Sequence, residues 1–185
     1  SYADNYHKSI QRRDEPRCIR PKKSPNMSTS TPTTPLPKVE DMRVAVVAAE
    51  WNGHITSLLA EGAMEVFKEQ GFAPGQVDRF DVPGAVELTF AASQLIEASL
   101  YDAVIVFGCV VRGGTPHFDY VCQSVTQGIT ALNADCDTPV IFGVLTVDTE
   151  QDALDRCGGP FGHKGREAAE AAIKMAAFTR RVKDL

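Results

Sequence analysis

From Arg43 onward the chain alternates short apolar runs with longer amphipathic segments. Strands that are apolar along almost their whole length, each followed by a helix, are typical of a parallel sheet covered by helices on both faces. We therefore predict an α/β fold, a three-layer αβα sandwich with a four-stranded parallel sheet, of the flavodoxin-like or Rossmann-like kind. The predicted strands are Arg43–Ala49, Val77–Val82, Asp102–Cys109 and Pro139–Val147.

Helices are predicted where apolar residues recur at three-and-four spacing. The first helix buries a stripe that includes Ile55, Leu59 and Val66, and Gly71 closes it. The later helices are predicted over Val86–Ala98, Phe118–Ala134, Glu150–Arg156 and Gly165–Arg181, with a Gly/Pro break at 158–160. The last helix is expected to pack through Ala168, Ala169, Ala172, Met175 and Ala176.

Charge is divided unevenly along the chain. Residues 1–26 carry seven Lys or Arg and three Asp or Glu, which leaves twelve basic and twenty-one acidic residues in 27–185. A domain that acidic is a poor binder of nucleic acid. Residues 27–41 have too few large apolar side chains to offset the entropy of ordering them. We predict a disordered basic and Pro/Thr-rich tail over 1–41 and a catalytic domain over 42–185.

The first 26 residues are open to three interpretations, with Met27 as a candidate start site. They are a translated upstream stretch, a native basic tail or a targeting peptide, and their three acidic residues count against a transit peptide. The five cysteines are odd in number and form no C-x-x-C pair, which is typical of free thiols in a reducing compartment. No apolar run reaches the roughly 18 residues of a membrane span. We expect a cytoplasmic protein with no membrane partner.

The loops after the four strands are the candidate site, because carboxyl ends of parallel strands share one edge of the sheet. Gly113, Gly114 and Thr115 offer N–H groups and a hydroxyl directly before a helix, a geometry that attracts phosphate. Arg156 and Lys164 lie in a glycine-rich stretch that could serve an anion. That stretch is not a P-loop, because a helix precedes the glycines and no Ser or Thr follows the lysine.

Three residues at this edge each have two interpretations. Trp51 stacks on a flat heterocycle, or it covers the core or an oligomer contact. Glu87 favours the dipole of its helix, or it accepts hydrogen bonds from a polyol or amine substrate. His117 caps its helix, or it transfers protons near neutral pH.

Five segments resemble, in order and spacing, the 6,7-dimethyl-8-ribityllumazine synthase family. They are Trp51-Asn52, Val82–Leu88, Gly108–Val121, Pro139–Thr146 and Arg156–Gly165. The resemblance covers about residues 43–181. Two departures are Thr89, where the family often has proline, and His163, which replaces a common asparagine before Lys164.

The resemblance implies an enzyme that condenses 5-amino-6-(D-ribitylamino)uracil with 3,4-dihydroxy-2-butanone 4-phosphate, without cofactor or metal. The products are 6,7-dimethyl-8-ribityllumazine, phosphate and water, in the penultimate step of riboflavin biosynthesis. By the same resemblance, His117 and Arg156 are catalytic. The implied substrate-binding residues are Trp51, Asn52, Ala85, Val86, Glu87, Val110, Val111, Gly114, Thr115, Phe142 and Lys164.

The family also implies a homo-oligomer whose site lies between neighbouring subunits of a pentamer. Phe142, Arg156 and Lys164 would then come from the adjacent chain. Pentamers of the family stand alone, pair or close into a 60-subunit shell, and the short segment Arg156–Gly165 leaves no room for the insertion associated with open pentamers. Riboflavin synthase is a candidate partner.

Three competing functions make different demands on the sequence. A flavodoxin-like nucleotide-binding module should carry a Ser/Thr-rich phosphate loop after the first strand, and a dehydrogenase should carry G-x-G-x-x-G there; residues 48–54 have neither. A noncatalytic shell-forming or flavin-binding relative should have lost a site group. Retention of Glu87, His117, Arg156 and Lys164 argues against that alternative.

Overall fold

The computed structural model of this chain describes residues 34–185, so residues 1–33 of the tail predicted over 1–41, including the candidate start Met27, lie outside the described residues. In the described part, four strands form one parallel sheet: β1 (Val44–Ala49), β2 (Val77–Val82), β3 (Ala103–Val111) and β4 (Val140–Val147). The α-helices there are α1 (Gly53–Glu69), α2 (Glu87–Glu97), α3 (His117–Asp135), α4 (Glu150–Leu154) and α5 (Lys164–Lys183). Two short strands, β5 (Cys157–Gly159) and β6 (Gly162–His163), form a hairpin between α4 and α5.

The sheet has the strand order β2-β1-β3-β4. One face packs against α1 and α5, and the other packs against α2 and α3. The predicted three-layer αβα sandwich with a four-stranded parallel sheet is confirmed. Valine makes up three of the six residues of β1 and four of the nine of β3, because β-branched side chains fit a pleated surface that is covered on both faces.

Of the two edge strands of the sheet, β2 and β4, only β2 carries charged residues. Its sequence carries Asp78, Arg79 and Asp81, and within the strand only Val77 is fully buried. Charged residues on an edge strand discourage pairing with another strand.

The predicted end of the first helix is confirmed. Gly71 has a φ of 82°, in the left-handed region that glycine adopts without strain. Its N–H donates to the carbonyl of Lys68, and the N–H of Phe72 donates to the carbonyl of Phe67. These two bonds form a Schellman motif, which pairs carbonyls that have no hydrogen-bond partner within the helix.

The chain departs from prediction mainly around its last two helices. Helix α4 ends at Leu154 rather than Arg156, and the predicted Gly/Pro break is the hairpin β5–β6. On α5 the predicted contact Met175 is 39% exposed, whereas Ile173 is buried. Ile173 shares the stripe of Ala169, Ala172 and Ala176, and Met175 falls outside that stripe.

Candidate functional site

Backbone hydrogen bonds join the four loops at the carboxyl edge of the sheet in two pairs. After β1, the N–H of Glu50 donates to Val82 at 2.8 Å, and that of Trp51 donates to Pro83 at 3.1 Å. After β3, the N–H of Arg112 donates to Val147 at 2.9 Å. The predicted convergence of these loops therefore follows directly from the parallel register.

Asn52 links the first loop to the third strand. It has a φ of 56° and precedes α1, and its side-chain amide donates to the backbone carbonyl of Cys109 at 2.8 Å. Asparagine tolerates the left-handed region better than most residues. Asn52 thus fixes the direction in which Trp51 leaves the strand.

Trp51 and Glu87 flank the same glycine. A Cβ on Gly84 would lie 3.1 Å from Oε2 of Glu87 and 3.4 Å from Cδ1 of Trp51. The indole is 75% exposed, so it does not cover the core of this chain. A flat aromatic face and a carboxylate at the start of α2 are therefore presented side by side, with Ala85 buried beneath them and Val86 exposed.

The third loop follows Val110 and Val111, the last residues of β3, and it leads into α3. Gly114 and Thr115 are exposed, and the 19-residue helix begins at His117, which is also exposed. The N–H groups of such a helix start point towards solvent and favour an anion. The structure therefore places Gly114 and Thr115 in an exposed loop directly before a long helix, and their role in binding phosphate stays a prediction.

Arg112, directly before this loop, is surrounded by acidic groups. Its guanidinium donates to Asp148 at 3.1 Å and to Asp119 at 3.3 Å, and it lies 4.1 Å from the centre of the Phe118 ring. Two carboxylates face this one cation. The cation directly before the loop is therefore already paired with carboxylates of its own chain.

A cavity of about 420 Å³ lies between β4 and the start of α5. Phe142, Arg156 and Lys164 line it, together with Glu167 of α5 and the backbone of β4. We call this cavity the cation pocket. The structure thus brings together the three residues that the resemblance assigns to a neighbouring subunit.

The two cations are held by the hairpin β5–β6. The backbone N–H of Lys164 donates to the carbonyl of Arg156 at 2.8 Å. The Arg156 guanidinium donates to the carbonyl of Asp152 at 2.8 Å and lies 5.2 Å from the centre of the Phe161 ring. The ammonium of Lys164 contacts Oε2 of Glu167 at 2.6 Å.

The predicted site residues fall into two groups. We call the set at the carboxyl edge the edge group: Trp51, Asn52, Ala85, Val86, Glu87, Val110, Val111, Gly114, Thr115 and His117. In residues 34–185, no member of the edge group lines the cation pocket. One chain therefore carries two sets of site residues that do not line one cavity.

Sequence reasoning missed Glu167 and the hairpin itself. Glu167 follows Lys164 by three residues on a helix, a spacing that places the two side chains together. Gly158 and Gly162 have φ values of 102° and 79°, and these glycines were the available signal for a tight hairpin.

Cys109 lies at this edge but is not poised as a nucleophile. Burial, with smaller effects of Cys157 and Glu150, raises the pKa of its thiol to about 12, so the thiol stays protonated at neutral pH. Among residues 34–185 no group of three or more His, Cys, Asp or Glu side chains could hold a metal ion. Nor does that part of the chain contain a helix long and apolar enough to cross a membrane.

Comparisons with known proteins agree with one another. The family model described as 6,7-dimethyl-8-ribityllumazine synthase matches residues 41–180. A protein of that name from Parabacteroides distasonis is 54% identical over 144 residues, which cover 78% of this chain and 90% of the relative. A protein of the same name from Phocaeicola vulgatus is 51% identical over 143 residues, which cover 77% of this chain and 85% of the relative. Another from Micrococcus luteus is 52% identical over 142 residues, which cover 76% of this chain and 87% of the relative.

The matched stretch, residues 41–180, contains the four-stranded sheet, the edge group and the cation pocket. The chain belongs to the 6,7-dimethyl-8-ribityllumazine synthase family.

Proposed function

We propose that this chain is a transferase that joins 5-amino-6-(D-ribitylamino)uracil to 3,4-dihydroxy-2-butanone 4-phosphate. The products are 6,7-dimethyl-8-ribityllumazine, phosphate and water. The observation that carries this proposal is the family match across residues 41–180, the stretch that holds both groups of site residues. Riboflavin synthase, which would take the product onward, is the proposed partner.

The members of the edge group from Trp51 to Val111 bind the pyrimidine substrate in this proposal. Trp51 stacks on the ring, and the backbone of Val110 and Val111 pairs with its polar edge. Asn52, Ala85, Val86 and Glu87 hold the ribityl chain. Support comes from the exposed indole and the carboxylate on either side of Gly84.

The phosphate-bearing substrate binds where Gly114 and Thr115 meet a cation. Arg156 can grip phosphate with two parallel hydrogen bonds, and the loop supplies N–H groups and a hydroxyl. Lys164 adds a second positive charge, and Phe142 packs beside the substrate. Holding both reactants side by side removes much of the entropy cost of bringing them together.

His117 moves protons in the proposed reaction. The amine of the pyrimidine adds to the ketone and loses water to give an imine, and elimination of phosphate follows. The second amine then closes the ring with loss of another water. An imidazole suits these transfers because one ring nitrogen can accept a proton while the other donates one.

The complete site forms between two copies of the chain. The charges around residues 113–115, which we call the phosphate loop, support a shared site. Arg112, directly before this loop, already forms ion pairs with Asp148 and Asp119. A phosphate at Gly114 and Thr115 therefore needs a cation from elsewhere, and Arg156 of a second copy supplies one. We propose a homo-oligomer built of pentamers, and the short hairpin β5–β6 is compatible with closure of these pentamers into a 60-subunit shell.

We also propose a cytoplasmic location, which is in keeping with the free cysteines 109, 122, 136 and 157.

The direct test is product formation from the two purified substrates, followed by the absorbance of the lumazine. The proposal predicts turnover by the full chain without added metal or cofactor. No lumazine from a folded, oligomeric protein supplied with both substrates would contradict it. Flavin binding by that inactive protein would favour the noncatalytic alternative.

A further inference from the structure

The hairpin β5–β6 places the two cations of the cation pocket at its two ends. Arg156 directly precedes β5, and Lys164 directly follows β6. The cross-strand pair Cys157 and His163 lies next to them, and the two cations are tied by the backbone hydrogen bond between them. Any shift of the hairpin against the rest of the fold therefore moves both cations together.

The hairpin has little intrinsic stability of its own. Two-stranded hairpins are at best marginally stable in water, and this one contains a register irregularity. Three of its residues are glycines, which lose more conformational entropy on folding than other residues. Its position must consequently depend on contacts with the surrounding elements.

The imidazole of His163 makes a close contact of this kind with α1. A Cβ on Gly62 would lie 2.1 Å from Cε1 of His163, far below ordinary contact distance, so only glycine leaves room for the ring. On the other side, a Cβ on Gly158 would lie 3.5 Å from Cδ2 of the ring. The ring lies between helix α1 and its own hairpin, a position that we call the seat of His163.

Close packing rather than hydrogen bonding holds the ring in this seat. In residues 34–185, Nδ1 of His163 is buried and has no hydrogen-bond partner outside its own residue. Burial lowers the pKa of the imidazole, so the ring is neutral at pH 7. Arg166 also ties α5 to α1 through Glu65 and Glu69, but ion pairs that are open to solvent contribute little to stability.

We propose that His163 is a positioning residue, whose ring on Gly62 sets the place of Arg156 and Lys164 and thereby the affinity for the phosphate-bearing substrate. The inference rests on the proposed function in one respect, the identity of that substrate. His163 does not line the cation pocket itself, and it acts through the two residues at the ends of its hairpin.

Steady-state kinetics on four variants test this inference. His163→Ala removes the ring, Gly62→Ala displaces it, and His163→Asn keeps a planar group at the same position. Gly75→Ala is the matched control, because a Cβ there meets nothing within 4 Å. Each variant is compared with the wild-type chain for KM with each substrate, for inorganic phosphate affinity by phosphorus NMR, and for folding by circular dichroism.

We expect His163→Ala and Gly62→Ala to weaken phosphate binding, and to raise KM for the phosphate-bearing substrate, by about 10- to 100-fold, the scale of a displacement of about 1 Å. KM for the pyrimidine should change by less than about threefold, since the edge group is untouched. His163→Asn should restore phosphate affinity to within about threefold of wild type, and Gly75→Ala should match wild type.

The inference is overturned if a folded His163→Ala or Gly62→Ala protein binds phosphate as wild type does, or if both KM values rise equally. If His163→Ala does not fold, Gly62→Ala gives the same decision with the ring retained. If wild type forms no lumazine, the proposed function fails, and the phosphate titration alone then decides the role of His163.

Discussion

Arg112 and Arg156 show how surroundings assign different roles to the same type of side chain. Arg112 is engaged by Asp148 and Asp119 and by the Phe118 ring, so its charge serves the fold at the start of α3. Arg156 donates to a backbone carbonyl and lies over an aromatic ring at the wall of a cavity. A guanidinium held in this way can turn further N–H groups towards a bound anion.

Arg156→Ala should harm turnover more than His117→Ala does. Loss of a bidentate partner of phosphate costs about 2 to 5 kcal/mol in a dry site, whereas the substrate amines can carry out part of the proton transfer that His117 assists. The measurement is kcat/KM with both substrates. Arg181→Ala, an exposed arginine near the end of α5, is the control and should leave kcat/KM unchanged. Equal losses for the Arg156 and His117 variants would contradict this ranking.

At the scale of elements, α1 is the helix against which α5 and the hairpin are fitted. A Cβ on Gly165 would lie 2.0 Å from the backbone oxygen of Leu59, so α5 approaches α1 at its first turn with no space for a methyl group. Two residues before Gly165, the hairpin ends at His163. One helix thus positions both segments that carry the cation pocket.

Gly165→Ala should therefore reduce the free energy of unfolding by at least about 2 kcal/mol, because the backbone of α1 cannot move aside as a side chain can. Urea unfolding of the variant and of Gly75→Ala, whose new methyl group enters open space, measures the difference. Similar midpoints for the two variants would show that the two helices can separate without cost.

The seat of His163 also predicts a pH dependence of stability. Burial, with Arg166, lowers the pKa of His163 below its ordinary value of 6.5, against the opposing effect of Glu65 and Glu167. The unfolded chain then binds a proton more readily than the folded chain does. The stabilisation is fully present above pH 6.5 and is lost as the pH falls from 6.5 through the folded pKa.

Urea midpoints at neutral and mildly acidic pH check this expectation. Wild type should lose more stability on acidification than His163→Asn, because asparagine takes up no proton. The same loss in both proteins would mean that His163 is not the group responsible.

The sheet and most helix bounds could be predicted because apolar periodicity is a local property of the sequence. The edge group was also predictable, since a parallel sheet brings the ends of its strands to one edge. The contact of His163 with Gly62 could not be found this way. It joins residues about 100 positions apart, and no local pattern marks Gly62 as the partner of His163.

At the scale of the whole molecule, the main feature is the separation of the edge group from the cation pocket on one chain. The edge group offers an aromatic face, a carboxylate and a phosphate loop whose adjacent cation is already paired. The cation pocket offers Arg156 and Lys164. The cation pocket supplies the cations that the edge group lacks, and the edge group supplies the aromatic face and the phosphate loop that the cation pocket lacks. We therefore propose that the two meet between copies.

This arrangement predicts that two defective chains can restore each other. One chain carries Trp51→Ala with Glu87→Ala and loses its edge group, and the other carries Arg156→Ala and loses its cation pocket. In a mixed oligomer assembled at random from equal amounts, about one quarter of the sites combine an intact edge group with an intact cation pocket. Each variant expressed alone provides the control.

Complementation of lumazine formation in the co-expressed, purified mixture is thus the most direct measurement. We predict activity of about a quarter of wild type per site, well above that of either variant alone. Activity no higher than the average of the two separate variants, in oligomers confirmed to contain both chains, would contradict a site shared between copies.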